Sequence, residues 1–477
     1  MNRYTKGGVA LLLAFTATAC DDFLQGPGLT ETPNSPSSGS AQQQLISLQA
    51  NMSARLEGQL ARNPGMYTQQ IIGTNNQQDT YGTQYDFRES DIGQNFTAFY
   101  TGGGLVAMRN IQAFGAANDR LYEGIAKIWE GLAFGTATQI WGDLPYSQAG
   151  DPAFLTPKLD PQQEIYAAVQ SRLDEGIAAL AAASSAGNCE PADVIYCASV
   201  GPRAQQIARW TAAARTLKAR FHLHLVERNG NAAYTLALAQ AQQGILEAPA
   251  NATQAMHGQA PGDFRTFHGS TLDVDGNIWA EFLTARGGDI RAGHTLVQLL
   301  KDRNDPRLAA YFSPNASGAF IGVDQNKVVV GAGGASEINI PVRRAMNFRQ
   351  PVVTWAENQL IMAEANFRLG NAGAALNNVN AVRSAVGMPA LGAVTYEEIM
   401  LEKYIAQFQN IDVWADYKRS CVPTLTRRAG AAEIPGRSPY SSIERVANPN
   451  IPTVNAYPAG TTGAAPLRNW NDPNPCP

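Results

Sequence analysis

The chain has 477 residues, of which 16% are charged, and its formal net charge at pH 7 is −4. Length alone suggests two or three domains, although helical superstructures often form longer single units. This small negative net charge argues against nucleic-acid binding, which requires a basic surface. Abundant alanine and few runs of valine or isoleucine favour helix over sheet. The 44 glycines and 27 prolines are concentrated late in the chain and predict long loops.

Residues 1–19 are predicted to be a signal peptide, because two basic residues precede a short apolar run and small residues stand before Cys20. The apolar run is too short to span a bilayer as a helix. Small residues followed by cysteine resemble a lipoprotein processing site and predict lipidation of Cys20; the alternative is an ordinary signal peptide with a chance cysteine. Residues 20–40 are rich in Gly, Pro, Ser and Thr and predict a flexible tether. Residues 41–477 are predicted to form one domain.

A helix over about 41–62 opens this domain, and residues 63–100 then become polar, aromatic and punctuated by glycine. Tyr81 and Tyr85 stand there among amides and carboxylates, with Asn76 nearby. Exposed rings beside amides suit sugar recognition, because rings stack on C–H faces while amides bind hydroxyl groups. These three residues are therefore candidate ligand contacts. The alternative is that the rings are buried between helices.

Residues 120–141 give the clearest helical pattern. One face carries apolar residues at steps of four, three and four: Leu121, Ile125, Ile128 and Leu132. Glycines at other positions of this helix leave parts of its surface without side chains, so neighbouring helices are expected to pack closely against it. Each glycine costs about 1 kcal/mol relative to alanine, so packing must offset the loss. The helix runs into the sequence WGDLPYSQA, where Gly142 suits a left-handed C-cap and Pro145 prevents continuation.

Further helices are predicted after Asp160 and over about 203–228 and 231–246. Residues 354–369 and 373–386 then form a helix pair, broken at Gly370-Asn371. This pair predicts a loose tetratricopeptide-like unit, and another helix follows it from Thr395. The predicted fold is therefore mainly α, a scaffold of tetratricopeptide-like helical pairs decorated with long irregular loops.

Two stretches are predicted to be rich in loops, an insert over about 247–345 and the tail, 421–477. The insert contains a second polar and aromatic cluster, in which Trp279 is the fourth candidate ligand contact. The run Asp273–Trp279 faintly resembles a calcium loop, but it lacks the third ligand before glycine and the later glutamate of an EF-hand. No metal or other cofactor is predicted.

Four cysteines remain once Cys20 is assigned to lipid, and an even number in an exported chain suggests two disulfides. Three connectivities are compatible with four cysteines. We favour Cys189–Cys197, which closes a small loop, and Cys421–Cys476, which ties down the tail.

Catalytic signatures are missing from the sequence. There is no G-x-S-x-G, H-E-x-x-H, P-loop or G-x-G-x-x-G pattern. His222 and His224 lie two residues apart on a predicted helix, and thus on different faces. We expect a binding protein and not an enzyme.

Several stretches in chain order resemble the SusD-like (RagB/SusD) family of outer-membrane lipoproteins. They are WGDLPYSQA at the end of the long helix, NDPRLAAYF from Asn304, AEA within the helix pair, WADYKR from Trp414 and the closing segment 434–450. The resemblance covers most of residues 20–450. It implies a surface-exposed outer-membrane lipoprotein that captures a glycan or peptide-like nutrient and closes as a lid over a SusC-like TonB-dependent transporter.

Two other classes of function stay open from the sequence. An exported glycoside hydrolase would place its carboxylates by tertiary structure, which sequence spacing does not reveal. A helical-repeat adaptor would bind only protein. Turnover of oligosaccharide would favour the first class, and affinity for the transporter without any soluble ligand would favour the second.

Overall fold

The computed structural model describes residues 39–268, 276–452, 468–474 and 476. Cys20, the predicted signal peptide and most of the predicted tether lie outside the described residues. Two compact units divide the chain, Met1–Gln44 and Leu45–Pro477. Apart from the first residues of the first helix, every feature below belongs to the second unit.

The α-helices of the described chain, in order, are α1 (Ala41–Glu57), α2 (Gln59–Tyr67), α3 (Asn76–Gly82), α4 (Leu105–Asn118), α5 (Arg120–Trp141), α6 (Gln162–Ala182), α7 (Arg203–Leu223), α8 (Val226–Asn229), α9 (Asn231–Ala241), α10 (Ala252–His257), α11 (Ile278–Ala285), α12 (His294–Asp302), α13 (Arg307–Tyr311), α14 (Trp355–Arg368), α15 (Ala372–Ala385), α16 (Tyr396–Ala406), α17 (Asp412–Ser420) and α18 (Ser442–Ala447). The strands are β1 (Ile71–Gly73), β2 (Phe264–Arg265), β3 (Ile290–Ala292), β4 (Phe312–Ser313), β5 (Glu337–Ile338) and β6 (Pro351–Val353). The fold is therefore mainly α, as predicted.

Helix α5 is the thin, buried helix that the sequence predicts. Asp119 caps it by accepting a hydrogen bond from the backbone N–H of Leu121 (3.0 Å). A Cβ atom added at Gly131 would lie 2.7 Å from Leu173 of α6, and one at Gly135 would lie 2.2 Å from the ring of Phe221 in α7. Real Cβ atoms do not approach so closely, so these glycines are what let α6 and α7 pack against α5. The predicted close packing is confirmed.

Helices α14 and α15 form the predicted tetratricopeptide-like pair. Thr354 and Glu357 make a complete capping box at the start of α14, and Gly370 turns the chain between the helices with φ of 86°. Small residues from neighbouring helices meet where α14 packs on α7 and α9, among them Ala219, Ala237 and Ala365. The predicted scaffold of stacked helical pairs is confirmed.

Buried ion pairs join the insert to this scaffold. Glu402 of α16 is fully buried and pairs with Arg307 (2.8 Å), Arg383 (2.7 Å) and Arg303 (2.5 Å). Although burial raises the pKa of Glu402, the guanidinium groups outweigh burial and hold it at about 2. Because Arg303 and Arg307 belong to the insert, this carboxylate fixes the insert on the helical pairs.

Among the described residues, two antiparallel strand pairs join the insert to segments outside it, β1 with β3 and β2 with β6, and a third pair, β4 with β5, lies within it. The sequence predicts one or two helices in residues 247–345, whereas the described part of this range has four short ones, α10 to α13. Helices this short depend on tertiary packing, so their local sequence gives a weak periodic signal.

Both favoured disulfides are present. The Cα atoms are 5.5 Å apart for Cys189–Cys197 and 5.2 Å apart for Cys421–Cys476. These separations lie in the ordinary range for a disulfide. The second bond joins the start of the tail to its end.

Candidate functional site

The sequence WGDLPYSQA forms a fixed turn after α5. Gly142 has φ of 78° and donates its N–H to the carbonyl of Thr138 (2.8 Å). The carboxylate of Asp160 accepts from the N–H groups of Tyr146 (3.0 Å) and Ser147 (2.6 Å). Trp141 and Leu144 are buried. The sequence is therefore architectural, and it holds the end of α5 against the start of α6.

The structure places three of the four predicted ligand residues in the protein interior. Tyr85 and Trp279 are 0% exposed and Tyr81 is 5% exposed. The ring of Tyr85 lies 6.0 Å from that of Tyr67, and the ring of Tyr81 lies 4.9 Å from that of Phe87. Burial also raises the pKa of Tyr85 to about 12. The prediction that these rings lie open to a sugar is wrong for this conformation.

Local helices explain this error. Tyr81 lies on α3, whose turns face α2, and Trp279 begins α11, where Asn277 caps the helix by accepting from the N–H of Trp279 (3.0 Å). The sequence treats both segments as turns, because α3 and α11 are too short to show a helical period. Once helical, each segment turns its aromatic residue towards the core.

Asn76, the fourth predicted residue, is exposed and joins two loops. Its side-chain amide donates to Oδ1 of Asp289 (2.8 Å), and the amide of Asn75 donates to the carbonyl of Gly288 (2.7 Å). The backbone of Asn76 lies in the left-handed region, with φ of 51°. Asparagine tolerates that conformation better than most residues, so the position suits its type.

Asp79 connects this region to two further loops. Its carboxylate pairs with Lys327 of the insert (2.8 Å) and with Arg428 of the tail (3.4 Å). It also accepts from the hydroxyl of Thr83 (2.5 Å). Burial raises the pKa of Asp79, but the contacts with Lys327, Thr83 and Arg428 outweigh it and lower the pKa overall. The carboxylate is therefore ionised and shared between three segments.

We call this surface the polar loop face and define it by the residues that its loops share: Asn75, Asn76, Asp79, Gly288, Asp289, Lys327 and Arg428. Beneath it, the buried Gln69 accepts from the hydroxyl of Thr295 (2.9 Å) and donates to the carbonyl of Thr426 (2.8 Å). Four segments that are far apart in sequence thus meet at one surface. The exposed amides of Asn75 and Asn76, the carboxylate of Asp79 and the two cations can hydrogen-bond a hydroxyl-rich ligand.

Sequence reasoning missed Lys327 and Arg428. Lys327 follows the turn-forming run Asp324-Gln325-Asn326, so the sequence indicates a turn there. The contact of Lys327 with Asp79 has no such signal in the sequence. Nothing in the local sequence marks Arg428. No cluster of three or more metal-ligating side chains occurs among the residues that the structure describes, and the Asp273–Asp275 part of the calcium-like run lies outside them.

Helical pairs that carry a loop-built polar surface define a class of helical-repeat binding proteins. The model of the SusD-like family, described as starch-binding and associating with the outer membrane, matches residues 33–441. The chain therefore belongs to the SusD-like family. Members of this family are binding proteins rather than enzymes.

Solved structures agree with this fold. A chitin-binding protein is 21% identical over 91% of this chain and 100% of its own, with a TM-score of 0.72. A SusD/RagB family protein from Bacteroides thetaiotaomicron VPI-5482 is 18% identical over 92% and 100%, with a TM-score of 0.70. A chitin-binding SusD homolog from Flavobacterium johnsoniae is 17% identical over 91% and 98%, with a TM-score of 0.69. No curated protein sequence matches the chain. In the described ranges, no helix has the length and apolar character needed to cross a membrane.

Proposed function

We propose that this protein is a surface-exposed outer-membrane lipoprotein, anchored through Cys20, that binds a nutrient glycan on the polar loop face. It delivers this ligand to a SusC-like TonB-dependent transporter, which it also caps, and it performs no catalysis itself. The family match over residues 33–441 carries the proposal.

The construction of the polar loop face supports a binding role. Stacked helices and buried ion pairs supply a rigid base, and loops presented on a rigid base are where binding residues usually occur. The contacts of Asn76 with Asp289 and of Lys327 with Asp79 hold the loops in register. A ligand therefore meets a largely preformed set of hydrogen-bonding groups.

The relatives indicate which ligands to test first. Two of the similar structures are chitin-binding proteins, and the family is described as starch-binding. Chito-oligosaccharides and malto-oligosaccharides therefore come first in a calorimetric screen, followed by peptides. Binding of an oligosaccharide without its turnover supports the proposal. Turnover would indicate a glycoside hydrolase instead, and transporter binding without any soluble ligand would indicate a protein adaptor.

Variants of the polar loop face locate the ligand. We expect Asn76→Ala and Lys327→Ala each to weaken binding by about tenfold, since a lost hydrogen bond of about 1.4 kcal/mol corresponds to that factor. Asn118→Ala and Lys158→Ala are matched controls, because both residues are exposed and each makes a comparable contact elsewhere. Equal effects of the two pairs on affinity would remove the polar loop face from the proposal.

The anchor is tested separately. Cys20→Ser should leave protein that no longer fractionates with the outer membrane, because the lipid cannot be attached. A variant that stays in the membrane fraction like the wild type would contradict the lipoprotein assignment. This result is independent of ligand binding by purified protein.

A further inference from the structure

A small buried cavity lies where the insert meets the helical scaffold. Its volume is about 10 Å³. It is lined by Leu56 and Glu57 at the end of α1, by Thr266 after β2, by residues 350–352 around β6, and by residues 409–411 between α16 and α17. All of these residues are buried. The cavity therefore joins segments that are distant in sequence.

The lining carries polar groups that no protein atom satisfies. The backbone of Gln350 is fully used, because its N–H donates to the hydroxyl of Thr266 (2.8 Å) and its carbonyl accepts from the N–H of Thr266 (2.9 Å). Its side chain is 1% exposed, and neither Nε2 nor Oε1 has a partner among the described residues. Nε2 of Gln409, which is 4% exposed, has none either, whereas its Oε1 accepts from Arg343 (3.0 Å).

Glu57 adds a carboxylate to the same cavity. One oxygen lies 2.7 Å from Nε2 of His268, and the other accepts a long hydrogen bond from the N–H of Ile278 (3.4 Å). Burial raises the pKa of Glu57, and Thr266 also contacts this carboxyl group. A carboxyl group keeps acceptor capacity beyond these contacts in either protonation state. Donors and acceptors therefore both line this cavity.

We infer that the cavity is a binding site for one water molecule, held by the side-chain amides of Gln350 and Gln409 and by the carboxylate of Glu57. Buried polar groups are almost always hydrogen-bonded, and those that find no protein partner are commonly satisfied by internal water. A cavity of about 10 Å³ accommodates about one water molecule and nothing larger.

The chemistry of the lining excludes the other small occupants. A dry cavity is apolar, and this one is not. A calcium or magnesium ion requires about six oxygen ligands, whereas the amide N–H groups of Gln350 and Gln409 would face it with positive partial charge. Water both donates and accepts, which matches the mixed lining.

The test combines crystallography with water-proton relaxation dispersion on the purified protein. We expect one ordered water peak within hydrogen-bonding distance of the Gln350 and Gln409 amides, and we expect Gln350→Met to lose it. In solution, the count of slowly exchanging waters should fall by one in Gln350→Met. It should stay unchanged in the control Gln205→Met, since Gln205 is exposed and does not line the cavity.

Three results would overturn the inference. One is a wild-type cavity without density; another is a peak at the roughly 2.4 Å distances of a coordinated cation; the third is a Gln350→Met variant that keeps the same water. If the variant does not fold, the wild-type density and relaxation data decide the question by themselves.

Discussion

Glu402 of the helical core and Asp79 of the polar loop face both pair with cations, but one carboxylate is buried and the other is partly exposed. Glu402 in the core is 0% exposed and binds three arginines that packing holds in place. Asp79 on the face binds Lys327 and Arg428, whose side chains are 34% and 33% exposed and which come from loops. A buried pair loses several kcal/mol when one partner is removed, whereas an exposed pair loses about 0–1 kcal/mol. The same chemistry thus contributes far more to stability in the core than on the polar loop face.

The largest expected effect comes from breaking the core cluster. Glu402→Ala leaves three cations without their shared carboxylate, and we expect the free energy of unfolding to fall by about 3–5 kcal/mol. Chemical denaturation measures this loss. Glu397→Ala is the matched control, because Glu397 is exposed on the same helix, and it should change stability by less than about 0.5 kcal/mol. Similar losses for both variants would contradict the importance of the buried pairs.

A buried carboxylate that forms no ion pair among the described residues sharpens the comparison. Asp263 accepts from the N–H groups of Trp355 (2.7 Å) and Ala260 (2.8 Å) and has no ion pair in the described ranges. Burial raises its pKa to about 7, and these hydrogen bonds only partly oppose that rise. The pKa values of Glu364 and Glu402, by contrast, are both lowered to about 2, because their cationic partners outweigh burial.

These pKa values give opposite dependences of stability on pH. The folded state binds the proton of Asp263 more tightly than the unfolded state does. The resulting contribution to folding stability is full below pH 3.8, the ordinary pKa of the group, and is lost as the pH rises through about 7. The contributions of Glu364 and Glu402 to folding stability are full above pH 4.5, their ordinary pKa, and are lost as the pH falls towards about 2.

Thermal melts over this range isolate Asp263. Asp263→Asn should lose one hydrogen bond at every pH. It should also melt with a weaker decline than the wild type from about pH 4 to about pH 7, because the titrating group is gone. Parallel curves for the two proteins would show that the pKa of Asp263 is not raised.

Close packing around α5 predicts a loss of stability that is smaller than that of Glu402→Ala. Gly135→Ala places a Cβ against the ring of Phe221, and overpacking typically costs about 1–3 kcal/mol, which exceeds the gain of about 1 kcal/mol in helix propensity. Gly373→Ala in α15 is the control, because a Cβ there meets nothing within 4 Å. Denaturation should show that Gly135→Ala is destabilised and that Gly373→Ala is unchanged or more stable. A stabilised Gly135→Ala would refute the packing argument.

The smallest effect on stability is expected on the polar loop face. Asp79→Asn weakens two half-exposed ion pairs and should cost less than about 1 kcal/mol in unfolding free energy. The loops that Asp79 joins should nevertheless become more mobile, which amide hydrogen exchange over residues 324–328 and 426–430 would detect. A loss as large as that of Glu402→Ala would erase the distinction between the two regions.

The sequence by itself determined the regular part of this protein. The period of α5, its glycines and the α14–α15 pair are local signals, because a helix of three or more turns repeats its pattern within the segment that forms it. The motifs in chain order also indicated the family, which the match over residues 33–441 confirms.

Only the tertiary structure decided the candidate site. Tyr81 and Trp279 were judged exposed because their helices are too short to show a period, and they are buried because neighbouring segments cover them. Asp79, Lys327 and Arg428 meet although about 250 and 350 residues separate the cations from the carboxylate. Burial and ion pairing depend on which distant segments pack together, and no local pattern records that choice.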